Sequence, residues 1–423
     1  MFRASQRLKW IRLISVVALL SLTLQTTTLP VHADAPAPPL RPSACEDGTQ
    51  ASGAIYRICM PTIPPWQGDL IVFAHGYMAP NQPVHIPEEQ LHLPDGTYIP
   101  TAVNLMGYAF ATTSYYTNGL AVREGLADLV DLVSIFKQNH PTVNRVYLVG
   151  ASEGGLITTL AAEQYPQVFS GGLATCGPIG DFTAHANYLG DFRVVFDYFF
   201  PGLLPGTPIT IPQSLIDTWE TSYYSTTVLP VLMNPAGAIS ITQLLSVTMS
   251  DAGFITSTTA ISTVSGLLWY SVFATNDAKA KLGGQPFDNW TRVYTGSLDD
   301  ATLNATVQRF SADQAALDAI EAHYQTSGVP LVPLVTIHTT LDPIVPYWHE
   351  TLYRSKVELH GMTPRHDNIP VARYGHCSFE ATEVIGALNL QVPRGKPAAV
   401  SGLSAHHSEA VEPALRIPRP SRF

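Results

Sequence analysis

Between residues 147 and 160 the chain reads YLVGASEGGLITTL. Apolar residues lead into Gly150-Ala151-Ser152-Glu153-Gly154, and a helix-forming run follows. A strand that turns this abruptly into a helix needs small residues around the turning residue, whose side chain it lifts out of the sheet edge. A serine at that point is either a helix N-cap or a nucleophile. The choice depends on what else the chain brings to the same edge.

Strand and helix alternate on both sides of this stretch. GAIYRICM (53–60) alternates like an early edge strand, and DLIVFAHG (69–76) is an apolar run that stops at a glycine, as a buried parallel strand does. GYAFATTSY (107–115), RVYLVGAS (145–152) and SGGLATCG (170–177) read as further strands. Residues 121–140 carry Leu126, Leu129, Val130, Val133 and Phe136 at helical spacing. Alternation resumes with a strand in PLVPLVTIHTTLDP (330–343), a helix over 347–361, a strand in IPVARYGH (369–376) and a helix over 380–390. This pattern predicts a parallel sheet covered on both faces.

Residues 180–328 break the pattern after the sixth strand. They are rich in Thr, Ser, Leu, Pro and aromatics, with helices expected around 239–250, 256–274 and 311–325. The block is expected to be a largely helical cap or lid inserted into a core of residues 50–179 and 329–391. Residues 34–49 read as a Pro-rich linker and 392–423 as a flexible tail.

At the start, Arg3, Arg7, Lys9 and Arg12 precede the apolar run LISVVALLSLTL (13–24) and the small-residue site Val31-His32-Ala33. That is the pattern of a secretory signal peptide over residues 1–33, cleaved near Ala33, since a span needs about 20 apolar residues. The expected location is extracellular, with no integral span after cleavage. Removing this segment takes away four basic and no acidic residues, moving the formal charge from -10 to -14. Such a balance argues against nucleic acid and anionic membrane as partners, since both demand a basic face. Four cysteines, Cys45, Cys59, Cys176 and Cys377, allow two disulfides in an exported chain, by three pairings. Nearness in sequence pairs Cys45 with Cys59 and leaves Cys176 for Cys377; free buried thiols are the alternative.

A serine nucleophile needs a base, and the base needs an orienting acid. On a sheet of this kind the chain order is serine, acid, histidine. Asp342 follows the apolar strand before it, and His376 follows the next strand, so both fall at the edge that carries Ser152. His338 lies inside its strand, His349 and His360 on or at the end of a helix, and His366 in a polar loop; these positions exclude them. Asp299, Asp300, Asp313 and Asp318 fall in the insert. For an oxyanion, the N–H of Glu153 and that of Tyr77, in FAHGYMAP (73–80), are the expected donors, with Met78 next. The Tyr77 ring is either one wall of an acyl pocket or ordinary packing.

The HGY loop, the GASEG elbow, Asp342 and His376 together resemble the α/β-hydrolase superfamily, in particular exported bacterial carboxylesterase- and lipase-like members with a large helical insert. The resemblance covers residues 50–390 and implies an eight-stranded, mostly parallel sheet and a Ser152–His376–Asp342 triad. In tannase and feruloyl esterase relatives, one cysteine precedes the nucleophile and a second follows the histidine. Here Ala151 occupies the first place and Cys377 the second, so Cys176 is the implied substitute partner.

No set of residues has the spacing of a metal site and no glycine-rich phosphate loop is present, so no cofactor or metal is expected. Asn289-Trp290-Thr291 and Asn304-Ala305-Thr306 are glycosylation sequons. The expected activity is hydrolysis of a small-molecule, lipid-like or aromatic ester, the apolar insert suiting such an acyl or aryl group. A serine peptidase of aminopeptidase type is the alternative, with Asp217, Glu220 or Asp251 available to hold a substrate amine. A non-catalytic binding protein on the same scaffold is the third reading.

Overall fold

Every residue of strand β3 (Asp69–Ala74) is buried in the computed structural model, which describes residues 43–250 and 256–394. Alternate β3 side chains point to opposite faces, as strand geometry requires. Leu70, Val72 and Ala74 join an apolar cluster with helices α2 (Val122–Asn139) and α3 (Glu153–Gln164). Ile71 and Phe73 join a second cluster with α1 (Ile99–Leu105) and α12 (Ala381–Arg394). A strand buried on both faces has no polar side to present, which is why this sequence reads as a continuous apolar run.

The other strands are β1 (Ser43–Thr49), β2 (Ile55–Pro61), β4 (Ala109–Thr113), β5 (Arg145–Ala151), β6 (Gly171–Thr175), β7 (Leu334–Leu341) and β8 (His366–Tyr374). They form one sheet in the order β1-β2-β4-β3-β5-β6-β7-β8. Pairings from β4 to β8 are parallel, and β2 runs antiparallel to both β1 and β4. This is the α/β-hydrolase fold. Its strand order reverses beside β3 and β5, so loops leaving their carboxyl ends diverge and open a crevice there.

Two local expectations change. The stretch expected as an edge strand is internal, and the true edge is β1, drawn from residues expected to be linker. The sequence Ser43–Thr49 carries charge and no β-branched run; what holds it is pairing, with Cys45 opposite Cys59. His366, expected in a loop, is the first residue of β8 and is buried. The expected signal peptide (1–33), residues 34–42 of the expected linker and the expected tail beyond Arg394 lie outside the described residues.

Between β6 and β7 the chain is helical. It forms α4 (Phe182–Phe199), α5 (Gln213–Thr218), a π-helical stretch (Trp219–Val228), α6 (Leu229–Leu232), α7 (Ala238–Thr248), α8 (Ser257–Lys281), α9 (Asp300–Thr306) and α10 (Gln314–His323). Phe192, Phe196, Leu244, Leu268 and Phe273 build an apolar core of this segment distinct from the two flanking the sheet. The longest helix, α8, starts at a capping box in which Thr256 and Thr259 satisfy each other's backbone N–H groups. The sequon residue Asn289 is fully buried and hydrogen-bonded to Tyr294, Gln308 and Phe310, so its side chain is not presented to solvent.

Candidate active site

The turn between β5 and α3 holds Ser152 at φ 57° and ψ -118°, outside the regions an L-residue prefers. Strain of this kind persists only where the surroundings enforce it. A Cβ on Gly150 would stand 2.0 Å from the Gly154 carbonyl oxygen, and one on Gly154 would stand 2.0 Å from that of Ala74. Only glycine allows both approaches. Ser152 N–H donates to Thr175 O at 2.9 Å, fixing the elbow to β6.

Asp342 and His376 reach the same place from the ends of β7 and β8. Ser152 Oγ lies 2.7 Å from His376 Nε2, and His376 Nδ1 lies 2.6 Å from Asp342 Oδ2. A carboxylate only accepts, so Nδ1 carries the proton and Nε2 is left to accept from the serine hydroxyl. Asp342 Oδ1 accepts from the N–H groups of Ile344 and Val345 at 2.9 and 3.0 Å. Burial pushes the Asp342 carboxyl up, but His376 and His338 outweigh it and hold it well below the usual carboxylate range.

His338 does lie within its strand, yet it belongs to this network. Its Nε2 donates to Val345 O at 2.8 Å and stands 3.5 Å from Asp342 Oδ2, while Nδ1 is 3.1 Å from Glu350 Oε1. Burial opposes its protonation; Asp342 and Glu350 prevail and push it up to about 10. A buried imidazolium therefore backs the aspartate. Its place mid-strand concealed it, and the only signal was a second carboxylate, Glu350, one helix later.

The loop after β3 comes against the elbow: a Cβ built on Gly76 would be 3.2 Å from the Ser152 Cβ. Gln90 shapes this loop, its Oε1 accepting the Gly76 N–H at 2.6 Å and its Nε2 donating to Tyr77 O at 3.4 Å. Glu153 opens α3, so its N–H has no partner within the helix. Its side chain is buried, with Oε1 accepting the Ala121 N–H at 2.6 Å, and burial raises its pKa to about 8.

Two cavities meet at the serine. One of about 130 Å³ lies beneath the insert, between α4 and α8; the other, of about 520 Å³, lies against α1, α12 and His376. Ser152, Tyr77 and Tyr270 line both. Tyr270, from α8, stands beside Ser152 in both cavities, and its ring packs 5.6 Å from the Tyr77 ring. The sequence motif around Tyr270 reads as apolar lid packing, which hid its hydroxyl. Of the acidic groups considered for a substrate amine, Asp217 and Glu220 are exposed and line neither cavity, while Asp251 lies outside the described residues.

Disulfides join Cys45 to Cys59 and Cys176 to Cys377. The second ties the residue after β6 to the residue after His376.

The sheet order is that of the α/β-hydrolase fold, and at its carboxyl edge Ser152, His376 and Asp342 form one hydrogen-bonded chain. Residues 91–188 match the Prolyl oligopeptidase family. No curated protein matches the chain. Among solved structures, an acylaminoacyl peptidase of Pyrococcus horikoshii is 13% identical over 84% of this chain, with a TM-score of 0.40. This chain covers 40% of that one's length. The esterase Pf2001 of Pyrococcus furiosus is 12% identical, with 82% of this chain and 90% of that chain covered and a TM-score of 0.42. A bacterial brefeldin A esterase is 14% identical, with 85% and 77% covered and a TM-score of 0.40.

Proposed function

We propose that the protein is a secreted hydrolase of carboxylic esters. The observation that carries this reading is the continuous chain from Asp342 through His376 to Ser152, set between two largely apolar cavities. His376 Nε2 takes the Ser152 proton as Oγ attacks the ester carbonyl. The oxyanion that forms receives the N–H groups of Glu153 and Tyr77. Collapse expels the alcohol, which takes its proton from His376 and leaves an acyl group on Ser152. Water activated by His376 then releases the acid. Asp342 keeps the imidazole oriented and stabilises its charge when protonated.

Two cavities suit the two arms of an ester, one for the acyl group and one for the alcohol. The pair of disulfides supports export, since such bonds persist in oxidising compartments. The match of residues 91–188 favours a second reading, cleavage of peptides. Against an aminopeptidase stand the exposed positions of Asp217 and Glu220.

A fluorophosphonate probe followed by paired p-nitrophenyl esters and amino-acid anilides tests the proposal. Wild type should label and Ser152→Ala should not, with esters turned over faster than anilides. Equal labelling of the variant would remove Ser152 as nucleophile, and faster anilide turnover would make the protein a peptidase.

A further inference from the structure

The cavity beneath the insert is lined mainly by apolar residues, with Glu153, His185, Arg193, Gln285 and a few hydroxyls among them. One face of α4 lines it, through Phe182, His185, Ala186, Leu189, Gly190 and Arg193. Apart from tyrosines, the ionisable lining residues among those described are Glu153, His185 and Arg193. Burial holds His185 neutral, lowering it to about 4. Its tautomer follows from its neighbour. His349 Nδ1 accepts the Gly180 N–H at 3.0 Å, so His349 Nε2–H donates to His185 Nδ1 at 3.3 Å and His185 Nε2 carries its own proton.

Arg193 is the unusual group. It is only 1% exposed, on a helix face whose other cavity-lining residues are apolar apart from His185. Its Nε donates to Asp197 at 2.8 Å and Nη1 to Ser271 at 3.5 Å, but Nη2 has no hydrogen-bond partner among the described residues. Leaving a buried donor unsatisfied is unfavourable, and native proteins rarely do so without a reason. His185 feels the charges of His376 and Asp342, which places it at the catalytic end of the face. Arg193 lies eight residues further on, about 12 Å of helix rise.

Resting on the ester reading above, we propose that Arg193 reads the substrate: the arm held in this cavity carries a neutral oxygen acceptor, such as a carbonyl, that takes the Nη2–H bond. Bare hydrocarbon would leave the donor empty. A carboxylate fits less well, because Asp197 already neutralises the guanidinium and a second buried anion would lack a counter-charge. A single hydrogen bond of this charge-assisted kind distinguishes isosteric arms by about tenfold or more.

Matched acyl arms test this. The p-nitrophenyl ester of monomethyl adipate and p-nitrophenyl octanoate have arms of equal length, differing by the inner ester group; p-nitrophenyl hydrogen adipate supplies the anion. The succinate series repeats the comparison at a shorter reach. In wild type the methyl-ester arm should exceed its hydrocarbon isostere in kcat/KM by about tenfold at one of the two lengths. Arg193→Met should abolish that advantage while still turning over the octanoate. The wild-type comparison stands even if the variant fails to fold. The same arms, presented as dimethyl adipate and methyl octanoate, should slow fluorophosphonate labelling in the same order. That readout needs no ester cleavage, so it survives failure of the ester reading. No advantage for the oxygen-bearing arm in either readout, or a preference for the free carboxylate, would overturn the proposal.

Discussion

Opening the Cys176–Cys377 bridge tests how far His376 depends on covalent support. The bridge spans 201 residues of sequence, whereas Cys45–Cys59 spans 14. On the chain-entropy model, closures of these lengths stabilise by about 5 and about 3 kcal/mol respectively. The longer one also acts locally. Cys176 and Cys377 both adopt left-handed backbone, at φ 47° and 51°, and Cys377 directly follows His376. Freed from the bridge, the loop after β8 relaxes toward ordinary backbone, and the histidine leaves its 2.7 Å contact with Ser152. Misplacement by an ångström costs on the order of 100-fold in rate. The Cys176→Ala/Cys377→Ala double variant is therefore expected to lose both urea stability and kcat/KM under conditions where circular dichroism shows it folded. The Cys45→Ala/Cys59→Ala variant joins no site loop, so it should lose less stability and no kcat/KM. A folded Cys176→Ala/Cys377→Ala protein with wild-type kcat/KM would refute the view that the bridge positions the base.

At the elbow, Gly154→Ala puts a methyl 2.0 Å from the Ala74 carbonyl oxygen, so backbone must move; about 3 kcal/mol of stability and most fluorophosphonate labelling should go. A variant that labels at the wild-type rate would contradict that packing. Gln90→Ala releases the Gly76 and Tyr77 backbone, and kcat is expected to fall about tenfold with KM little changed; an unaltered kcat would remove Gln90 as a support of the oxyanion loop. Stability should decline in alkali. His338 rises from 6.5 to about 10 on folding, so its contribution is complete below pH 6.5 and lost as pH climbs through 10. Glu153 rises from 4.5 to about 8, so its contribution is likewise full below pH 4.5 and lost as pH rises through 8. Protonating Glu153 on folding, where the unfolded carboxyl would be ionised, costs about 3 kcal/mol at pH 7, which Glu153→Gln should restore; denaturation midpoints of the two proteins that run parallel from pH 5 to 9 would refute this.

Residues at strand ends were readable because a buried parallel strand announces itself as an apolar run, and the residue that ends the run falls at the sheet's carboxyl edge. Ser152, Asp342 and His376 could be placed together on that ground before any coordinates. β1 could not, because Ser43–Thr49 is a strand through its pairing and its cysteine rather than through its own propensity. Three other residues were hidden for one shared reason. Gln90 sits in a single 3-10 turn, His338 in mid-strand and Arg193 in a helix that also carries Asp191 and Asp197, so none breaks a local pattern in a way that points to a site. Each draws its meaning from a partner far away in sequence or on another element: the Gly76 amide, the Glu350 carboxylate, Ser271. A buried polar group must be satisfied wherever the fold places it, and the sequence carries the group without the address. Arg193 differs from the other two in having one donor still unmet, and the reading proposed above assigns that donor an acceptor from outside the protein.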